Sequence, residues 1–153
     1  MDNLQGKVEA EFEHIDLVIN ELPQHDRLSS LSILELAGVS TLIHNFSNGI
    51  ENILKQLLKS RGICLPTGGS WHKELLNMSA KEQVISPALK NTLGEYLAFR
   101  HFFIHAYALD LYPDRMEPLV SQCENVYLML MFKDEINVCL FQYNQYNDNK
   151  KRL

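Results

Sequence analysis

Five prolines stand at positions 23, 66, 87, 113 and 118, and the stretches between them carry a helical period. Proline lacks the backbone N–H that a helix interior needs, so its placement sets where helices can begin and end. Over residues 3 to 22, Leu4, Val8, Phe12, Ile15, Ile19 and Leu22 fall on one face and charged residues fill the other. That pattern predicts an amphipathic helix ended near Pro23. The next segment, "HDRLSS", reads as a polar link with capping residues. Residues 30 to 60 give the longest pattern, with Leu31, Leu34, Gly38, Leu42, Phe46, Gly49, Ile53 and Leu57 recurring every three or four positions. Gly38 and Gly49 on that stripe suggest a close approach by another helix, at a cost in helix propensity.

"RGICLPTGGS" then breaks the chain with turn residues. "WHKELLNM" reads as a short helix capped by Ser70, with Ser79 as a cap for the turn that follows. Pro87 opens a long helix over residues 87 to 110, anchored by Leu89, Leu93, Leu97 and Ile104 and ended by "YPD". A last helix spans residues 114 to about 142, with Pro118 tolerated because it is early. No β alternation and no internal repeat is visible. The expectation is an all-α chain, an antiparallel four-to-five-helix bundle, with one domain over residues 1 to 142 and a polar, frayed tail over 143 to 153.

Composition narrows the function. A chain of 153 residues can bury a real core, and 46% apolar with 22% charged is ordinary for a globular protein. The start, "MDNLQGKVEAEFEH", lacks the basic-then-apolar pattern of a signal peptide, and no apolar run is long enough to span a membrane. Cys64, Cys123 and Cys139 form no CxxC pair, which suggests buried free thiols in a reducing cytosol. The formal charge of −5 argues against a broad nucleic-acid-binding face but leaves room for a local basic cleft. The two basic concentrations, "KKRL" at the end and Lys55/Lys59/Arg61/His72/Lys73, have the usual reading of solvated surface.

The chemistry concentrates in "RHFFIHAY", residues 100 to 107. At roughly 100° per residue, Arg100 and Tyr107 fall within about 20° of each other on a helix, and His101 and His105 share another face. Arg100 and His105 are separated by about 140° and about 7.5 Å of rise. A site built on one helix is therefore awkward, and one shared by two copies across a two-fold axis is natural. Histidine exchanges protons near pH 7, and the guanidinium fork matches phosphate oxygens. The pair suits metal-free phosphodiester cleavage, in which His handles a proton and Arg stabilises charge at phosphorus. No metal-binding constellation such as HExxH is present. The same residues also suit a satisfied polar layer that packs one helix on another.

Arg-x4-His-x-Tyr, late on a long helix, resembles the signature of HEPN-domain ribonucleases, most closely the HepT-type toxins of HEPN–MNT toxin–antitoxin pairs. "LELAGVSTLIHNFSNGIENILK" and the Trp71–Leu76 segment resemble that group as well. In a chain of this composition the two-residue motif is expected by chance roughly 0.2 times, and with the tyrosine roughly 0.008 times. The resemblance implies a HEPN-type bundle that dimerises through the motif and cuts RNA, for some relatives tRNA, without cofactor. It implies Arg100 and His105 as the catalytic pair, His101 as a supporting residue, and Tyr107 as the position an MNT nucleotidyltransferase antitoxin modifies with AMP. AMP on Tyr107 would place bulk and negative charge beside the guanidinium and exclude RNA. Tyr112 is a competitor outside the motif. The alternative within the family is a non-catalytic HEPN module for protein or nucleotide binding.

Other positions carry weaker expectations. Glu35, beside Leu31, Leu34 and Gly38, is expected to be partly buried, with a structural hydrogen bond favoured over a role in orienting the site. His44, Asn45 and Asn48 are candidates for the cleft, with a solvated or interhelical face favoured. Trp71-His72 reads as a packing anchor before a base-stacking platform. Glu51 and Lys55 read as an ordinary i,i+4 surface pair.

Overall fold

The helical period carries into the fold. In the computed structural model, which describes residues 4–105 and 111–131, every regular element is helical. Helix α1 spans Leu4–Glu21, and a 3-10 helix spans His25–Ser30. Helix α2 spans Ile33–Ser60, α3 Trp71–Lys81, α4 Pro87–His105 and α5 Pro113–Met131. Residues 132 to 153, which include the expected domain boundary and the polar tail, lie outside the described residues, as does Cys139. No described helix is long and apolar enough to cross a membrane.

The ends of α2 show why it runs for 28 residues without a break. At its start Ser32 and Glu35 form a reciprocal capping box: the Glu35 N–H donates to Ser32 Oγ at 3.2 Å and the Ser32 N–H to Glu35 Oε2 at 2.7 Å. Glu35 does make the expected structural hydrogen bond, but it is exposed rather than partly buried, because a cap faces solvent. At the other end Gly62 adopts φ +74°. Its N–H donates to the Lys59 carbonyl and that of Ile63 to the Leu58 carbonyl, a closure that favours glycine in the left-handed region.

Helix α2 is the centre of the bundle and contacts α1, α3, α4 and α5. Glu11 accepts a hydrogen bond from Asn52, and Ile15 packs at Gly49, so α1 runs antiparallel to α2. Tyr96 meets Leu119 and Cys123 while Phe102 meets Arg115, so α4 and α5 are antiparallel too. The core is mostly apolar, from Val8, Phe12 and Ile15 on α1 through Ile43, Phe46, Ile50 and Leu54 on α2 to Leu89 and Leu93 on α4, with Ser40, Ser47, Glu51 and Ser79 buried beside it. On α5, Met116, Val126 and Leu130 join it, and Pro118 sits within the first turns as expected. The Tyr96 hydroxyl spans that core to the Leu119 carbonyl at 2.6 Å.

Several local expectations change. Over the first turns of α2 the buried face is rotated from the one expected: Leu34 is 83% exposed and Gly38 faces open space, whereas Leu36, Val39 and Ile43 are buried. Further along, Phe46, Gly49, Ile53 and Leu57 of the expected stripe are buried. Only Gly49 marks a close helix approach. A Cβ there would lie 2.6 Å from Ile15 Cγ1. Ile104 is 57% exposed and no anchor. "HDRLSS" is a 3-10 helix that buries Leu28, not a purely polar link. Ser70 stands at the N-cap of α3, but its hydroxyl donates to the Glu74 carboxylate instead of capping the backbone. Ser79 is not a cap either; it is buried within α3, where its hydroxyl donates to the Leu75 carbonyl. Cys64 is exposed, and Cys123 is buried.

Candidate functional site

The longest helix carries one polar seam. His44, Asn48, Glu51 and Lys55 are spaced by four, three and four residues, which aligns them on one face of α2. That face looks toward α3 and α4, and each member of the seam meets a residue from those helices. The His44 ring lies 6.1 Å from that of Phe103. Asn48 Oδ1 accepts a hydrogen bond from Arg100 Nη1 at 2.6 Å. Glu51 places Oε2 at 3.4 Å from the same nitrogen and Oε1 at 2.7 Å from His72 Nδ1. Lys55 Nζ sits 4.1 Å above the Trp71 ring. Glu51 keeps only 6% of its side-chain surface, while Arg100 and His72 keep 18% each.

This geometry replaces the surface-pair reading of Glu51 and Lys55. Glu51 is a buried acid that joins α2 to α3 and α4, and Lys55 turns to an aromatic face. A carboxylate can only accept hydrogen bonds, so Glu51 accepts from the Nδ1–H of the imidazole, and in the neutral ring Nε2 is the acceptor. His44 lies in the same electrostatic neighbourhood. Burial, and then the Arg100 guanidinium, hold its pKa below the ordinary value, Glu51 works in the opposite direction, and His72 adds to the lowering. Its buried Nδ1 has no hydrogen-bond partner among the described residues.

Outside this seam lies a cleft of about 690 Å³ between α3 and α4. His72, Lys73, Lys90, Arg100 and His101 line it above an apolar floor that includes Leu76 and Leu97. No aspartate or glutamate is among the described residues that line it, in a chain whose formal charge is −5. A cleft with that wall suits an anion of phosphate type: the guanidinium supplies a planar fork, and the lysines supply point charge.

The motif residues divide as helix geometry requires. Arg100 points back to α2, whereas His101 and His105 are exposed and their rings lie 4.6 Å apart, edge to face. The cleft brings together Arg100 and His101; His105 is not among its lining residues. Tyr107 lies outside the described residues. Tyr112 is 53% exposed, near the Arg115 guanidinium.

A profile of the family described as "HepT-like protein" matches residues 38–140, about two thirds of the chain. The chain belongs to the HepT-like family. The matched region holds the whole polar seam of α2, the α3–α4 cleft and the Arg-x4-His-x-Tyr motif. Searches of curated proteins and of solved structures return no match. Two members of this HepT-like site, Glu51 and His72, do not stand out from residue type alone. The signal that finds Glu51 is the 4-3-4 spacing of His44, Asn48, Glu51 and Lys55 along α2, whereas His72 is found only from the contact it makes with that seam.

Proposed function

We propose that this HepT-like protein is an endoribonuclease toxin of a toxin–antitoxin system, acting as a homodimer on RNA. The observation that carries the reading is the α3–α4 cleft, whose wall bears Arg100, His101 and two lysines and, among the described residues, no carboxylate. A phosphodiester is the ligand that such a wall favours on an acidic chain. In this reading Arg100 stabilises the negative charge that develops on the phosphorus centre, and His105 transfers a proton. His101, edge to face with His105, orients that ring. Arg100 and His105 diverge on α4, so a second copy of the chain brings His105 to the cleft. Tyr107 is the position where a nucleotidyltransferase antitoxin of MNT type adds AMP, and the added phosphate competes with RNA for Arg100.

The test uses purified full-length protein and its Arg100→Ala and His105→Ala variants, incubated with RNA in EDTA. Cleavage by the wild type and its loss in both variants is the expected result. A wild type that cuts no RNA, with variants indistinguishable from it, ends the enzyme reading. For the regulatory part, the protein is incubated with its nucleotidyltransferase and ATP. Mass spectrometry is expected to place AMP on Tyr107, and an unmodified Tyr107 removes that part.

One observation favours a second reading. Arg100 Nη1 is held by Asn48 and Glu51, the arrangement of an interhelical polar layer. A non-catalytic HEPN module for protein or nucleotide binding would use Arg100 in this way. In that case Arg100→Ala lowers stability and there is no RNA cleavage to lose.

A further inference from the structure

We infer that His72, oriented by Glu51, is a second proton-transfer residue of the cleft and accepts the proton of the attacking 2′-hydroxyl. The inference rests on the ribonuclease reading above and adds a residue to it from outside the motif. Three observations carry it. His72 lines the same cleft as Arg100. Its Nδ1 is 2.7 Å from Oε1 of a carboxylate that keeps only 6% of its surface. The other oxygen of that carboxylate faces the Arg100 guanidinium, so one buried acid sets the position of both groups.

His72 lines the cleft, and the nitrogen that Glu51 holds is Nδ1. Glu51 accepts the hydrogen bond of Nδ1–H, so in the neutral ring Nε2 is the nitrogen with the lone pair, the arrangement a general base requires. The surrounding charges are consistent with that role. Glu51 and His44 face His72 from α2, Arg100 from α4 pairs with the far oxygen of Glu51, and Lys73 lines the cleft on α3. A carboxylate behind the ring stabilises the imidazolium that forms during the reaction.

In the step, His72 Nε2 takes the proton of the 2′-hydroxyl, and the 2′ oxygen forms a bond to phosphorus. The bond from phosphorus to the 5′ oxygen breaks, and that oxygen leaves with a proton from the protonated His105 that the second copy supplies. The products are a 2′,3′-cyclic phosphate and a 5′-hydroxyl. One proton is taken and one is given, and no electron changes hands.

The experiment measures cleavage of a short single-stranded oligoribonucleotide by full-length wild type, His72→Gln, His72→Ala, Glu51→Gln and Arg100→Ala. Melting curves run in parallel confirm that each variant folds. His72→Gln is expected to slow cleavage by roughly 100-fold or more, the usual contribution of a positioned acid or base. Added imidazole is expected to restore part of the rate to His72→Ala, which a packing role would not allow. Glu51→Gln offers an amide N–H to Nδ1, drives the proton to Nε2, and is expected to slow cleavage and alter its acid limb against pH. If the wild type and His72→Gln cleave within about twofold of each other while Arg100→Ala is inactive, the inference is overturned and the ribonuclease reading stands. If neither wild type nor any variant cleaves, the ribonuclease reading fails and takes this one with it.

Discussion

Glu51 and His72 meet at 2.7 Å, carboxylate oxygen to imidazole Nδ1, although one sits in the middle of α2 and the other in the first turn of α3. The contact ties the short helix to the centre of the bundle, and the second oxygen of Glu51 extends the tie to Arg100 on α4. Removing this acid leaves a half-buried guanidinium and an imidazole N–H without their acceptor. Breaking a buried pair from one side costs about 3–5 kcal/mol, and Arg100 and His72 keep 18% of their side-chain surface, so the low end applies. Glu51→Ala is expected to lower unfolding free energy by about 3 kcal/mol. Urea denaturation at pH 7 measures it, and a loss below about 0.5 kcal/mol, typical of an exposed position, would show that the tie is not formed.

Gly38 and Gly49 lie three turns apart on α2 and are expected to respond to alanine with opposite signs. At Gly38 a new Cβ meets nothing within 4 Å, so Gly38→Ala gains helix propensity, about 0.5–1 kcal/mol. At Gly49 it meets Ile15 Cγ1 at 2.6 Å and Cδ1 at 3.0 Å, and Ile15 is itself fully buried. Overpacking of this kind costs about 1–3 kcal/mol, more than the propensity gain. Thermal melts of the two variants decide it: a rise for Gly38→Ala and a fall for Gly49→Ala. A rise for Gly49→Ala would mean that α1 does not approach α2 there, and a fall for Gly38→Ala would mean that its face is not open.

Much of the bundle is legible in the sequence because proline position and apolar period are local signals. The start of α1, the break after Ser60 and the opening of α4 at Pro87 all follow from them. The split of the polar residues on α4 is legible too, since Arg100 turns to α2 while His101 and His105 share another face. What sequence spacing hides is which face a neighbour covers. Leu34 shares a period with Phe46 yet ends exposed, while Leu36 two positions on is buried. Glu51 and Lys55 have the spacing of a surface pair, and that spacing says nothing of a third helix that arrives with His72. Long-range partners are chosen by tertiary packing, and a charged residue inside a mostly apolar helix is the visible trace of such a partner.

The two described cysteines are expected to differ sharply in reactivity. Cys64 is exposed on the loop between α2 and α3. Cys123 is buried beside Tyr96, and burial pushes its thiol up to about 12, against a smaller opposite effect of the Tyr96 hydroxyl. The thiolate is the reactive form, so Cys123 is silent at neutral pH while the fold is closed. In a Cys139→Ser background, a colorimetric thiol reagent at pH 8 is expected to titrate one thiol at once and the second only as urea unfolds the chain. Two fast thiols would contradict the packing of α4 on α5 at Tyr96.

His44 gives the fold a pH dependence whose sign is fixed. Burial and the Arg100 guanidinium lower its pKa in the folded chain from the ordinary 6.5. As pH falls through 6.5 the unfolded chain takes up the proton first, and the folded chain follows only at lower pH. Stability from this group is therefore complete above 6.5 and is lost as pH falls through the folded value. His44→Gln removes that loss. The stability of the wild type minus that of His44→Gln is expected to be larger at pH 8 than at pH 5, as read from urea unfolding at each pH. A difference that stays constant between the two would show that His44 titrates normally, and that Arg100 does not reach it across the seam.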